Sequence, residues 1–536
     1  MKNIEYKNLD TSAAYGSLLK RTPPLPLSLQ NESRIEECET PAAGGLAFNW
    51  ASQPIGEEEL SLLAEIAQEQ QLLEKYHALA AGERMNTGED RRVLHHLTRG
   101  GIGERVVENG TDLGAFYTEQ RDKIADFAKK VHSGKISGST GKPFNTVVQI
   151  GIGGSDLGPR ALYLALEGLY TAHQEPKNES VRRDPGAPVP GTHKMKARFI
   201  SNVDPDDAAA VLSEVDPERT LFILVSKSGT TQETLTNREI VIRFMKEHGD
   251  VSLDPSKHMA VVTASTSPLA TSGDYLESFF IDDYIGGRYS STSAVGGAVL
   301  SLTYGPEVFL QLLEGAHQAD MAALNPQPEN NASLLDALIG IYHRNVLGYP
   351  VTAVLPYSQP LHRFPAHLQQ LDMESNGKRV NRRGEPLAYS TGPIVFGEPG
   401  TNGQHSFYQL LHQGTEPVPL QFIGFRENQM GMDTEFEGST SRTKLNANLA
   451  AQIVAFSEGK DDKDPNKRFP GGRPSSLIYG EKLTPLSLGA LLAHYENKIM
   501  FQGFCCNINS FDQEGMHLGK KLTSRVDTPV SRTAFF

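Results

Sequence analysis

Apolar and polar positions alternate in two distinct ways along this chain. Glu57 to Ala81 carries Leu60, Leu63, Ile66, Leu72 and Leu73 along one side, which predicts an acidic amphipathic helix lying before any clear strand. From Thr146 onward, short apolar runs alternate with helical stretches. The runs Thr146–Ile150, Ala197–Asn202, Leu221–Val225 and Met259–Ala264, with the weaker Ser278–Asp282, predict one set of strands. After Leu334 the pattern repeats at Val351–Pro356, Pro393–Gly397, Leu420–Phe425 and Ser476–Gly480. Strands separated by helices imply parallel sheets, and two such sets imply two open, doubly wound α/β units.

Two stretches read as solvated excursions within those units. Glu175 to Thr192 is rich in Pro, Gly and charge, and Glu458 to Pro474 is similar. A helix from Pro485 to about Phe501 is better marked: Thr484 is a cap, and proline holds the favoured first position. With 536 residues, two domains are the starting expectation. A formal net charge of −13 argues against general affinity for nucleic acid or anionic membrane, so an anionic ligand would need a local concentration of donors. Cys38, Cys505 and Cys506 are too few for a disulfide framework and lack zinc spacing, which fits a reducing compartment. The polar segment Met1 to Gly16 does not read as a signal peptide, and no apolar run reaches membrane-spanning length, so the expected location is the cytoplasm.

Candidate chemistry gathers just after strands, where open α/β sheets bind ligands. GIGGSDLG, Gly151 to Gly158, precedes a helix carrying Leu162, Leu166 and Leu169. Its glycines admit close backbone approach, and the helix beyond offers free N–H groups. The motif reads equally as a tight turn capped by Ser155. Asp156 at the third glycine position rules out a dinucleotide fingerprint, and no Gly-Lys-Ser/Thr follows for a P-loop. The turn after Leu221–Val225 is more telling. Ser226, Ser228, Thr230, Thr231 and Thr234 crowd into nine residues, more hydroxyls than helix capping needs. Together with the starting helix they suit a phosphate. Gly229 permits the bend, and Lys227 adds charge at the rim.

Three further segments hold titratable groups. In HLQQLDMESNGK, His367 to Lys378, Pro365 and Asn376-Gly377 bracket a short helix. Asp372 and Glu374 are two apart and do not share its face. Glu374 falls in the last turn, where the dipole disfavours a second negative charge, a setting that suits a general base; it reads otherwise as a solvated carboxylate. In GEPGTNGQHSFYQLLHQG, Gly397 to Gly414, His405 is expected in the first turn of a helix, where the neutral imidazole is favoured, with His412 two turns on. No third ligand at metal spacing accompanies them. In FDQEGMHLGKKL, Phe511 to Leu522, Lys520 and Lys521 lie on an expected C-terminal helix. Arg288, in IGGRYSSTS, binds phosphate, stabilises an oxyanion or makes a structural ion pair.

Taken together, these segments closely resemble the glucose-6-phosphate isomerase family. The likeness runs from about Asn86, in MNTGEDRRVLHHLTR, to about Leu522, and it includes GIGGSDLGP, SNVDP, SKSGTTQET, GGRYSSTS, QQLDMESNGK, GEPGTNGQHSFYQLLHQG, RPSSLI and FDQEGMHLGK. It implies two doubly wound parallel-sheet sugar-isomerase domains with helical N- and C-terminal extensions. The expected division is a helical extension over 1–120, domains over 121–290 and 291–509, and a C-terminal helix and tail over 510–536. It implies interconversion of glucose 6-phosphate and fructose 6-phosphate through a cis-enediol, without metal or cofactor, by a homodimer with shared sites. Dual action on mannose 6-phosphate stays open.

Residue by residue, the resemblance makes Glu374 the base moving the proton between C1 and C2. His405, from the neighbouring subunit, and Lys520 belong to ring opening, and Arg288 stabilises the enediolate. Ser226, Ser228, Thr231 and Thr234 match the phosphate cradle, with Lys227 beside it. Gly154, Ser155, Gln370 and Gln513 match substrate contacts. Glu514 departs from the family pattern, where many members have tryptophan. The first roughly eighty residues and the loop Glu175 to Thr192 match poorly, and no role follows for them.

Overall fold

The computed structural model describes residues 4–22, 24, 32–171, 194–247, 252–271 and 275–515. The expected loop Glu175 to Thr192 and the two lysines Lys520 and Lys521 lie outside the described residues.

The strands of the two main sheets, in chain order, are β1 (Glu39–Pro41), β2 (Leu46–Asn49), β3 (Thr146–Ile150), β4 (Lys196–Ile200), β5 (Thr220–Val225), β6 (Met259–Ala264), β7 (Ser278–Ile281), β8 (Val351–Pro356), β9 (Ile394–Phe396), β10 (Leu420–Phe425) and β11 (Ser475–Gly480). β3 to β7 form an all-parallel sheet in the order β4-β3-β5-β6-β7. Every residue of β5 and of β10 is buried, as expected for strands covered by helices on both faces. The order reverses between β3 and β5, so their carboxyl ends diverge and leave a crevice between the connections that follow.

The second sheet has the order β1-β2-β11-β10-β8-β9. Its core is parallel, but β2 runs antiparallel to β11, and β1 antiparallel to β2. The N-terminal segment, for which the sequence implied no role, therefore extends the second sheet. Four residues give too short an alternation to announce β2 in the sequence, and it is the exposed edge of β11 that makes it a strand. The single helix expected over Glu57 to Ala81 is two, α1 (Glu57–Glu69) and α2 (Leu72–Ala80), because Gln71 adopts the left-handed conformation with φ 50°. All nine predicted strands match within one or two residues at each end.

Two more helices hold the units together, α3 (Pro306–Ala322) and α4 (Pro485–Cys505). Thr484 caps α4 as expected, but the helix continues one turn past Phe501. α3 and α4 cross with backbones touching. A Cβ on Gly315 would stand 1.8 Å from the Leu486 carbonyl oxygen, and one on Gly489 1.8 Å from that of Leu312. Around this crossing lies a buried charged group in which Arg99 meets Asp320 and Glu496, both at 2.7 Å. Removing one partner of such a group typically costs about 3–5 kcal/mol, so it fixes how the segments meet. Among the described residues no helix is long and apolar enough to cross a membrane.

Candidate active site

The crevice predicted by the topology is a cleft of about 360 Å³ at the carboxyl ends of β3 and β5. Of the expected site residues, it brings together Gly154, Ser155, Ser226, Lys227, Ser228, Thr231, Thr234, Arg288, Gln370, Glu374 and Gln513.

The hydroxyl-rich turn forms one end. Gly229 takes φ +67° and bends the chain, as its sequence position suggested. Ser226 Oγ donates to Thr231 Oγ1 at 3.0 Å and accepts from the Gly229 N–H at 3.1 Å. Ser228 Oγ accepts from the N–H and hydroxyl of Thr230. Thr231 is the N-cap of the helix Gln232–Lys246, yet its side chain makes no capping bond. The hydroxyls are thus not consumed by capping, and the first N–H groups of a fifteen-residue helix face the cleft end. Lys227 is set deeper than the expected rim position: Nζ donates to the Ile285 carbonyl at 3.2 Å. Burial pulls its pKa below the usual lysine range, while Asp283 and Glu89 pull the other way.

The other end is assembled from distant segments. The glycine loop after β3 meets the turn Gly287–Thr292, and a Cβ on Gly154 would lie 2.2 Å from the Gly287 carbonyl carbon. Only glycine permits that approach, which sets Arg288 beside the loop. Arg288 is 2 % exposed. Nε donates to Ser375 Oγ at 2.7 Å, and Nη2 to the carbonyls of Ser510 and Asp512 at 2.5 and 3.0 Å. Nη1 faces Glu374 Oε2 at 3.4 Å. The expected structural ion pair and the expected cleft position therefore hold at once.

Glu374 closes a π-helical turn, Gln370–Glu374, that continues the helix Phe364–Gln369. Asp372 and Glu374 face different ways, as their spacing predicted. Glu374 points into the cleft, whereas Asp372 is buried against a separate internal cavity shared with Asp336 and Lys498. Burial, opposed by Lys498 and reinforced by Asp336, pushes Asp372 up to about 7. Three buried polar atoms on the cleft wall have no hydrogen-bond partner among the described residues: Thr234 Oγ1, Gln370 Oε1 and Glu374 Oε2. All three residues line the same cleft, although buried atoms without a hydrogen-bond partner also occur elsewhere among the described residues.

Some expectations are corrected or fall elsewhere. His405 is not in the first turn of a helix: it ends a short 3₁₀ turn, Asn402–His405, and the following helix starts only at Tyr408. Gly403 and Pro399 tighten the backbone there, delaying the helix. His405 is exposed and does not line the cleft of its own chain. His412 is structural, stacked on Phe456 at 3.8 Å and bonded to Gln452. Lys520 lies outside the described residues. Glu514 is exposed and is not part of the cleft wall. Motif reading overlooked Asn86, Glu89, Arg91 and Asp283, which also line the cleft; Glu89, Arg91 and Asp283 act electrostatically on Lys227. The charged run GEDRR was the available signal, but a charge run by itself reads as a solvated face.

Comparison with known proteins bears on this geometry. The sequence profile of the phosphoglucose isomerase family matches residues 49–534. The chain is 54 % identical to the glucose-6-phosphate isomerase of Treponema denticola, covering 99 % of each. It is 45 % identical to that of Borreliella afzelii, over 98 % of this chain and 96 % of that one. Among solved structures, a glucose-6-phosphate isomerase from Chlamydia trachomatis is similar with a TM-score of 0.88 and 39 % identity, over 98 % of both chains.

Proposed function

The chain belongs to the phosphoglucose isomerase family, and we propose that the cleft of its first sheet is where it works. It interconverts glucose 6-phosphate and fructose 6-phosphate, a step of glycolysis and gluconeogenesis. The reaction moves a weakly acidic proton between the two carbons next to and within a carbonyl. It needs an anchored substrate, a base and a cation at the developing oxyanion.

Ser226, Ser228, Thr231 and Thr234, with Lys227 beside them, hold the phosphate against the helix N-terminus. Binding there, remote from the reacting carbons, supplies orientation. Gly154, Ser155, Gln370 and Gln513 contact the sugar. Glu374 takes the proton from one carbon of the open-chain sugar and returns it to the other, through a cis-enediol. Arg288, immobilised by three hydrogen bonds, stabilises the charge that grows on the substrate oxygen without having to reorganise. The observation that carries this reading is that one cleft gathers the hydroxyl turn, Gln370, Gln513 and the Arg288–Glu374 pair, which come from distant parts of the chain.

Opening the sugar ring needs a further acid–base pair, and His405 with Lys520 fills that role. His405 stands away from its own cleft, which supports its serving the site of a second subunit in a homodimer. We place that dimer in the cytoplasm, with domain divisions near 120, 290 and 509 and the strands of 39–49 joined to the second domain's sheet.

Two measurements test this reading. A coupled assay on the purified chain is expected to turn over glucose 6-phosphate, and no turnover overturns the activity; mannose 6-phosphate in the same assay distinguishes a dual enzyme. Mixing separately inactive Glu374→Gln and His405→Ala chains, with subunit exchange, is expected to restore part of the turnover. No recovery from exchanged dimers overturns the shared site.

A further inference from the structure

Three arginines line the cleft, and they are held very differently. Arg288 is claimed by Ser375 and two backbone carbonyls. Arg92 is claimed by Glu108, through Nε at 2.9 Å and Nη2 at 2.6 Å, and Nη1 donates to the Gly82 carbonyl. Arg91 has a fixed backbone, bridged in both directions to Asn86 at 3.0 Å, but its guanidinium is loosely held. Among the described residues it makes a single side-chain hydrogen bond, Nη1 to Glu89 Oε1 at 3.3 Å, and faces Asp283 Oδ1 at 3.7 Å. Charge-assisted bonds normally run about 2.7–2.9 Å, and half-exposed pairs of this length contribute little. Four of its five N–H donors are uncommitted to a described residue.

Its place in the cleft is the phosphate-like end. The segment after it is tied to the cradle side by the Leu94 N–H, which donates to the Tyr284 carbonyl at 2.9 Å. Asp283, Arg91 and Glu89 all act electrostatically on Lys227. That end of the cleft has a difficulty: a phosphomonoester carries close to two negative charges, and Asp283, Glu89 and Glu233 also line the wall. Lys227 is the only cation of the hydroxyl turn itself, and burial disfavours its charge. A guanidinium keeps its charge in any such setting and offers a planar fork to phosphate oxygens.

We propose that Arg91 is a second cation of the phosphate end, exchanging its long contacts with Glu89 and Asp283 for the phosphate group of the substrate. The inference rests on the reading that Ser226 to Thr234 hold that phosphate. The acidic pair acts as a placeholder, keeping the guanidinium aimed across the cleft until a stronger anion replaces it.

The test uses the full-length enzyme, with fructose 6-phosphate as substrate and inorganic phosphate as competitive probe. Arg91→Gln is expected to raise both KM and the inhibition constant of phosphate by about tenfold or more, with kcat reduced far less. Arg91→Lys should recover part of the loss. Asp283→Asn should act in the opposite direction, tightening phosphate by about two- to fivefold, because it removes a competitor for Arg91. If Arg91 only latched segments together, Asp283→Asn would weaken phosphate as Arg91→Gln does, and that result overturns the proposal. Unchanged phosphate inhibition in Arg91→Gln, with Thr234→Val still weakening it, overturns the proposal alone. Unchanged inhibition in both overturns the anchoring reading as well.

Discussion

The two ends of the cleft meet the same need, donors held in place, by opposite routes. The hydroxyl turn is local. Ser226 to Thr234 are contiguous, their mutual hydrogen bonds are neutral and about 3 Å long, and the glycine bend and the helix start make the shape. The reacting end is long-range. Arg288, Gln370, Glu374 and Gln513 come from three separate segments, and Arg288 is fixed by charge-assisted bonds to Ser375, Ser510 and Asp512. A local turn is assembled with few ordered residues and stays adaptable. A buried arginine must be satisfied on every side, so its position is set by the whole fold. On the proposed assignment the difference suits the work: the phosphate does not react, whereas charge develops at the other end and must meet a site already in place.

The contrast can be broken most forcefully at Glu374. Glu374→Gln keeps the size and the neighbour Arg288 but removes the base. Turnover is expected to fall by about a hundred- to ten-thousand-fold, with fructose 6-phosphate still bound in calorimetry. Near-wild-type turnover would sink the assignment. At the anchoring end a smaller, different effect is expected. Thr234 Oγ1 is buried without a described partner, so Thr234→Val should leave the melting temperature unchanged or raise it. The same change should raise KM by about tenfold while kcat changes little. A drop in kcat with KM unchanged would erase the division of labour between the two ends.

The smallest effect concerns what lies behind the reacting end. Asp372 sits two residues from Glu374 but faces the internal cavity, and burial raises its pKa from 3.8 to about 7. The folded chain therefore binds a proton that the unfolded chain releases between those values. The stability Asp372 contributes is complete below pH 3.8 and is lost as pH rises toward 7. Asp372→Asn, which mimics the protonated form, should flatten that part of the stability–pH curve in denaturant titrations. An unchanged slope would show that Asp372 does not govern it.

Much of this molecule was legible in its sequence. The nine strands read from apolar runs all exist, and the phosphate-like turn was visible because its chemistry is contiguous. Glu374 and Arg288 stood out through motif likeness, since a lone carboxylate or arginine has no local signature. Three features were not legible. The strand β2 depends on an edge supplied more than four hundred residues later, at β11. Gln71 splits a helix whose apolar periodicity continues across it. Arg91 lies in a charge run that looks solvated until the Tyr284 backbone and Asp283 are brought against it.

The sequence by itself determined the alternation that makes two parallel-sheet units, the bend at Gly229 and the hydroxyls around it. Those depend on backbone preference and periodicity, which act over a few residues. Tertiary structure alone decided which arginines stay committed and which does not, why Glu374 faces the cleft while Asp372 faces the interior, and that the helix near His405 starts only at Tyr408. Those outcomes depend on desolvation and on partners far away in the chain, and burial is a property of the assembled fold.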